Sequence, residues 1–359
     1  MSYYGNNLKL TVFGESHGEA IGMTLAGIPS GHKIDMDGVL LQMARRAPGK
    51  DPTATPRLEK DLPSVKSGLL DGVTTGAPIA CLIENTNTRS SDYGNILELP
   101  RPGHSDYTAF VKYGGCNDIR GGGHFSGRLT APIVFAGAVV RQILEEQGVK
   151  IAAHIASIGK VEDKLFDPAN IPVELLDRLS RESFALIDRS VEGEMRAEIE
   201  AAKSENDSVG GVIECAVTGL PAGLGGPLFD GLEGEIAKAV FGVPAVKGVE
   251  FGLGFKAASV RGSENNDSFV TRDGKIVTET NNCGGILGGI TDGMPVVFRA
   301  AIKPTPSISK PQKTVSLVTG AESELVVKGR HDPCIVPRAV SVIEAVAAIA
   351  VFDMMLGAK

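Results

Sequence analysis

The stretch Ala339–Leu356 has a helical pattern and is apolar nearly all round. A helix without a polar face is buried on every side, so any fold this chain adopts must wrap other elements around it. The segment ahead of it, Gly329-Arg330-His331-Asp332-Pro333-Cys334 and on through Pro337-Arg338, therefore ends on rigid core backbone, where a ligand would meet fixed groups. Hydrophobic residues make up 42% and charged residues 22% of the 359, enough for a real core, and the length admits one elaborate domain or two interlocked ones. The 45 glycines and the absence of Trp point to many turns and close backbone approaches, so loops are expected to carry the chemistry.

Net charge is −7 with no long basic block, which argues against nucleic acid and anionic membranes as partners. No apolar run reaches the roughly 18 residues of a membrane span, and the polar start Met-Ser-Tyr-Tyr-Gly-Asn-Asn is unlike a signal peptide. A cytoplasmic protein with a small-molecule partner is expected. The cysteines Cys81, Cys116, Cys215, Cys283 and Cys334 are odd in number, far apart and form no C-x-x-C pair, which speaks against disulfides and zinc.

Along the chain, alternation over Leu8–Phe13 predicts a strand that stops at Gly14-Glu15-Ser16-His17-Gly18. Asp35 can cap a helix to about Arg46, followed by a polar loop through Arg57 that is a candidate lid. Pro78–Glu84, Ile151–Ile158, Val209–Thr218, Val246–Phe251 and Val296–Ile302 read as strands. Val173–Leu179, Glu192–Ala202 and Phe229–Phe241 read as helices. Arg272-Asp273-Gly274-Lys275 reads as a tight turn.

Several loops concentrate reactive groups. Pro102-Gly103 forces a turn that presents Arg101, His104 and Asp106 together, and a carboxylate beside a histidine can orient it or hold it protonated. Arg120-Gly-Gly-Gly-His-Phe-Ser-Gly-Arg-Leu-Thr130 runs into the apolar segment Ala131–Leu144; it is either a tight turn or an anion cradle at a helix N-terminus, with Arg120, Arg128 and Ser126 at hand. It matches neither G-x-G-x-x-G nor G-x-x-x-x-G-K-[ST]. Gly288 and Gly289 sit in a second glycine cluster, either for close packing or for a flat ligand. Lys303-Pro304-Thr305-Pro306-Ser307 is an extended segment of cations and hydroxyls, suited to a ribityl phosphate or to a surface connector. His154, inside a strand pattern, is expected to be structural. No H-x-x-x-H or other metal-ligand spacing is present, so no metal is expected, and no G-x-S-x-G elbow favours a serine hydrolase.

Four of these segments, Gly14–Gly18, Arg101–Thr108, Arg120–Thr130 and Gly329–Arg338, resemble in sequence and order the signature segments of the chorismate synthase family. The resemblance covers nearly the whole chain and implies a single domain over residues 1–359. It implies an α+β fold, a β-α-β sandwich with helices between two antiparallel sheets, assembled as a homotetramer. It also implies the 1,4-elimination of phosphate from 5-enolpyruvylshikimate 3-phosphate, giving chorismate with reduced FMN that is not consumed. By similarity, His17, His104 and Asp332 are catalytic, with Ser16 and Ser126 beside them, and Arg46, Arg101, Arg128 and Arg338 bind the substrate. The flavin would lie against His124, Phe125, Ser126, Pro244, Ala245, Gly288, Lys303, Pro304, Thr305, Pro306, Ser307 and Arg330.

The chain departs from the family pattern where Arg-Ser-Ser is frequent and His124-Phe125-Ser126 stands here, and where a second Arg six residues after Arg46 is replaced by Pro52. Two other function classes stay open on the residues alone: a non-catalytic flavin- or phosphate-binding module, and an NADP-dependent flavin reductase. The second would need a nicotinamide site, and no Rossmann fingerprint is present.

Overall fold

The structure is a computed structural model describing residues 3–49, 53, 61–86, 98–327 and 331–358. Arg57, Pro52 and Arg330, singled out above, lie outside the described residues, as does most of the candidate lid.

Two five-stranded sheets form the frame. In the first, Tyr3–Tyr4, Lys9–Gly14, Ala20–Ala26, Ile79–Glu84 and Pro63–Ser67 follow one another in space, each pair antiparallel. In the second the order is Val246–Phe251, Val296–Ile302, Gly211–Thr218, Lys150–Ile158 and Val161–Glu162, again antiparallel throughout. The strand expected from Leu8 shows why alternation works as a signal: Leu8 and Leu10 are buried while Phe13 reaches solvent. The Arg272–Lys275 turn joins Phe269–Arg272 to Lys275–Thr278, with positive φ at Asp273 and Gly274 as a two-residue hairpin requires.

The helix Thr130–Glu146 packs on the first sheet and on the C-terminal helix Val336–Gly357, which packs in turn on Lys150–Ile158 and Gly211–Thr218 of the second. The two helices approach closely at Gly137, where a Cβ would lie 2.4 Å from the Ala345 Cα. Against the expectation that no run was long enough, Gly127–Glu146 and Val336–Gly357 both have the length and hydropathy to cross a membrane. In this protein 78% and 83% of those windows are buried, as in the core helices of a globular fold.

The C-terminal helix carries two buried carboxylates. Glu344 Oε1 accepts from Ala153 N at 2.9 Å and Arg45 Nη2 at 3.1 Å, and Oε2 pairs with Arg45 Nη1 and Arg141 Nη1. That pairing satisfies a charge the apolar surroundings could not otherwise hold, and it fixes the last turn of the Met36–Arg46 helix, capped by Asp35 at its other end. Asp353 accepts from the backbone N–H groups of Asn6 at 2.8 Å, Asn7 at 2.7 Å and Leu8 at 2.6 Å, tying the first sheet to the helix.

Candidate active site

The glycine loop builds the floor. Gly121, Gly122 and Gly123 all have positive φ (61°, 89° and 53°), a run that would cost L-residues about 1–2 kcal/mol each. Space is as restrictive as conformation. A Cβ on Gly121 would lie 2.1 Å from the His17 ring, one on Gly122 3.2 Å from His104 Cε1, and one on Gly123 1.9 Å from the Asp118 carbonyl oxygen. The loop is therefore neither a generic turn nor a simple helix start: its bare backbone separates two histidines from strand-end and turn loops. Ser126 caps the next short turn, Gly127–Leu129, by accepting from Arg128 N, and the core helix follows from Thr130.

Above this floor opens a cleft of about 930 Å3, within the usual range for small-molecule sites. Of the expected residues it brings together Arg46, Arg101, His104, His124, Phe125, Ser126, Arg128, Pro244, Ala245, Lys303, Thr305, Pro306, Ser307, Asp332 and Arg338. His331 also lines it. Ser16 and His17 are buried directly behind Gly121 and do not line the cleft themselves; Ser16 Oγ donates to the Arg120 carbonyl at 3.1 Å and lies 3.2 Å from His17 Nδ1. Pro304 is exposed and outside the lining. Gly288 is outside it too, in a hairpin between Ile286–Leu287 and Ile290–Thr291. The neighbouring Gly289 serves packing, since its Cβ would meet the Gly226 carbonyl oxygen at 2.2 Å.

The Arg101–Asp106 turn forms a compact device. Asp106 receives Arg101 through Nε and Nη2, both at 2.7 Å, and His104 through Nδ1 at 2.6 Å. A contact that short to a carboxylate puts the ring proton on Nδ1 and leaves Nε2 as the group beside Gly122. Burial pushes the His104 pKa down; Asp106 opposes this, Arg101 and Lys303 reinforce it, and the net result is a lowered value. Asp106 stays ionised: burial alone would raise it, but Arg101 and His104 hold it far below the usual carboxylate range. Arg101 also donates to Ser307 Oγ at 3.1 Å, so most of its fork is committed to protein partners.

The other arginines converge from distant segments. Arg46 and Arg128 both pair with Asp61, and Arg338 pairs with Asp332 while donating to the Arg46 carbonyl at 2.9 Å. Burial and the nearby Arg338 and Arg128 push Arg46 down to about 10 against the pull of Asp61, so it stays charged at neutral pH. Asp61 was not foreseen: its partners lie 15 and 67 residues away, a separation with no local signature.

The His124 departure has a structural account. Its Nδ1 donates to the Gly14 carbonyl at 2.8 Å, stitching the glycine loop to the end of the strand Lys9–Gly14. Thr305 Oγ1 is also buried in the cleft wall, without a hydrogen-bond partner among the described residues, two residues from Lys303, whose pKa is lowered by burial and by Lys247. Leu10, Val12, Ile133, Val342, Val346 and Ile349 add an apolar stretch of wall. An unsatisfied hydroxyl, an ammonium and an apolar wall together fit a flat aromatic ring with a hydroxylated, phosphorylated chain, which is the chemistry of FMN.

A chorismate synthase family model matches residues 8–356. A protein described as chorismate synthase from Pyrococcus abyssi is 50% identical over 352 residues, covering 98% of this chain and 97% of that protein. One from Dehalococcoides mccartyi is 48% identical over 354 residues, covering 99% and 96%. A solved structure described as a crystal structure of chorismate synthase superposes with a TM-score of 0.78 at 30% identity, covering 99% of this chain and 93% of that one. With cleft, histidines and arginines in place and similarity running through the whole chain, this protein belongs to the chorismate synthase family.

Proposed function

We propose that the cleft binds reduced FMN together with 5-enolpyruvylshikimate 3-phosphate and that its arginines and histidines carry out the family reaction, the 1,4-elimination of phosphate that yields chorismate. The observation that carries this assignment is the convergence of Arg46, Arg128, Arg338 and His104, the last held from behind by Asp106, from four separate segments on one cleft. A ligand with a phosphate and two carboxylates needs that much positive charge at fixed positions, and guanidinium forks supply it with geometry as well as charge.

The residues divide the work. Arg46, Arg128 and Arg338 take the anionic groups, with Arg101 contributing what its bonds to Asp106 and Ser307 leave over. His104 exchanges a proton at Nε2 while Asp106 keeps Nδ1 in the donating tautomer. Asp332, on Arg338, is the further acid–base group at the flavin, with Ser126 supporting it; His17 and Ser16, walled off from the cleft by Gly121, enter as acid–base groups at the departing phosphate on resemblance alone. The reaction has no net redox change yet breaks an allylic C–O bond and removes hydrogen from a ring carbon that no neighbouring group acidifies; reduced FMN, when bound, would supply electron density to the departing C–O bond. His124, Phe125, Ser126, Pro244, Ala245, Lys303, Thr305, Pro306 and Ser307 would hold it, with the apolar wall excluding water, while Pro304 enters on resemblance alone. Gly288 and Arg330 enter this assignment on resemblance alone.

The same reading extends to architecture. A β-α-β sandwich of one domain over residues 1–359 is supported by a single hydrophobic cluster that spans both sheets and the helices between them. Assembly into an oligomer, a homotetramer on resemblance, is supported by large apolar side chains left at the surface, among them Phe229 at 94%, Leu228 at 88% and Phe255 at 86% exposure; a cytoplasmic location is part of the reading on resemblance alone.

The test is an anaerobic assay of the purified protein with reduced FMN and 5-enolpyruvylshikimate 3-phosphate. Stoichiometric release of phosphate and chorismate is expected; absence of both rejects the assignment. Oxidised FMN with NADPH, in a parallel arm, shows whether the protein reduces its own flavin.

A further inference from the structure

Asp61 lies behind the arginines, and its placement is unusually constrained. Its side chain is 0% exposed, while Arg46 and Arg128 are 5% and 4% exposed and border the cleft that Asp61 does not line. One carboxylate oxygen takes Arg46 Nη1 at 2.7 Å and the other takes Arg128 Nη1. Each guanidinium has neutral anchors as well: Thr130 Oγ1 and the Gly127 carbonyl for Arg46, Asn85 Oδ1 and the Glu84 carbonyl for Arg128. Those anchors hold the guanidiniums in the wall. They do not set the distance between two like charges that repel across a desolvated gap. Asp61 holds that gap from a left-handed backbone conformation, φ 47°, which Asp adopts more readily than most residues. Burial alone would raise its pKa; Arg46 and Arg128 more than offset that and keep it ionised.

We propose that Asp61 is a positioning residue for the elimination, a carboxylate that bridges Arg46 and Arg128 from behind and so fixes their spacing to that of a two-oxygen anion on the cleft side. This rests on the assignment of Arg46 and Arg128 to substrate binding. Two guanidiniums that share a carboxylate on one face are already spaced to share a carboxylate or phosphate edge on the other, so the substrate meets a clamp that needs no rearrangement. A carboxylate competing for the substrate's place would have to face the cleft, and Asp61 does not.

The experiment compares Asp61→Asn, Arg128→Lys and the double variant in anaerobic steady-state kinetics with reduced FMN, alongside thermal melting and flavin titration. Asp61→Asn is expected to raise KM for 5-enolpyruvylshikimate 3-phosphate roughly tenfold with kcat within about threefold, the pattern of weakened ground-state and transition-state binding alike. The double variant should lose less than the product of the single losses, because both changes open the same bridge. Asp61→Glu, which keeps the charge on a longer arm, should raise KM as well. If Asp61→Asn lowers melting but leaves KM unchanged while Arg128→Lys raises it, Asp61 is structural only and the proposal falls with the clamp intact. If neither variant moves KM, the substrate-binding assignment itself is wrong. A lower KM in Asp61→Asn makes Asp61 a competitor of the substrate and overturns the proposal. Should Asp61→Asn not fold, a wild-type KM in Asp61→Glu overturns it equally.

Discussion

His104 and His154 are both withdrawn from solvent and both contact carboxylates, yet their surroundings shift their pKa values in opposite directions. His104 has one carboxylate, Asp106, which it shares with Arg101, and Lys303 lies nearby. His154, on the strand Lys150–Ile158 of the second sheet, has Glu214 Oε2 at 3.0 Å and Asp163 Oδ2 at 3.2 Å, the latter at ion-pair distance without good hydrogen-bond alignment. Burial depresses both histidines; at His154 the two carboxylates outweigh it and raise the pKa, while at His104 the neighbouring cations tip the balance downward. A buried carboxylate beside a histidine does not by itself make an imidazolium. The charge left after other cations have been counted decides, and only the half-committed His104 is in a position to exchange protons with a ligand.

The most damaging change should be His104→Ala, with kcat/KM reduced by about 10²–10⁴ and an unaltered melting temperature. A loss smaller than tenfold would remove His104 from proton transfer. His154→Ala should do the reverse: a stability loss of about 3–5 kcal/mol in denaturant titrations, because Asp163 and Glu214 both lose their imidazolium and only Glu214 keeps another cation, Arg299 Nη1 at 3.4 Å, and normal kcat/KM for the folded fraction. Should catalysis collapse with stability intact, the contrast between the two sites disappears. Asp106→Asn is expected to fall between them, lowering kcat roughly 10–100-fold by releasing the His104 tautomer, and a change in KM alone would assign Asp106 to Arg101 instead.

The smallest effect is on pH dependence. The raised His154 pKa contributes stability that is fully present below about 6.5, its ordinary value. That stability drains away as pH rises through the folded value. His104 has the opposite sign: its lowered value makes the folded state resist protonation, so stability falls as pH drops below about 6.5. Denaturation midpoints measured across this range should lose their alkaline decline in His154→Gln and keep their acidic one. Loss of both declines, or of neither, would show that the two histidines do not titrate independently.

Much of the frame could be read from local pattern. Val173–Leu179, Val246–Phe251 and Val296–Ile302 have the bounds their periodicity predicts, because glycine and proline punctuate them. Others moved for identifiable reasons: the helix expected from Phe229 begins at Leu232, since Leu228–Asp230 forms a separate 3-10 turn with Leu228 at positive φ. At the site, Arg101, His104 and Asp106 were legible together because one turn holds all three. Asp163 and Glu214 around His154, and Asp61 between its arginines, were not. Such partners are chosen by strand register and helix packing, which bring together residues with no relation in spacing. The second glycine cluster shows the converse, a pattern readable as a ligand surface that strand and loop packing account for at Gly289.

The grip of Asp353 on Asn6, Asn7 and Leu8 has a consequence for how the molecule is made. The carboxylate that closes the first sheet is synthesised 345 residues after the Leu8 amide it holds. The start of the strand Lys9–Gly14 therefore cannot reach its final state until the helix Val336–Gly357 has been made and docked against it.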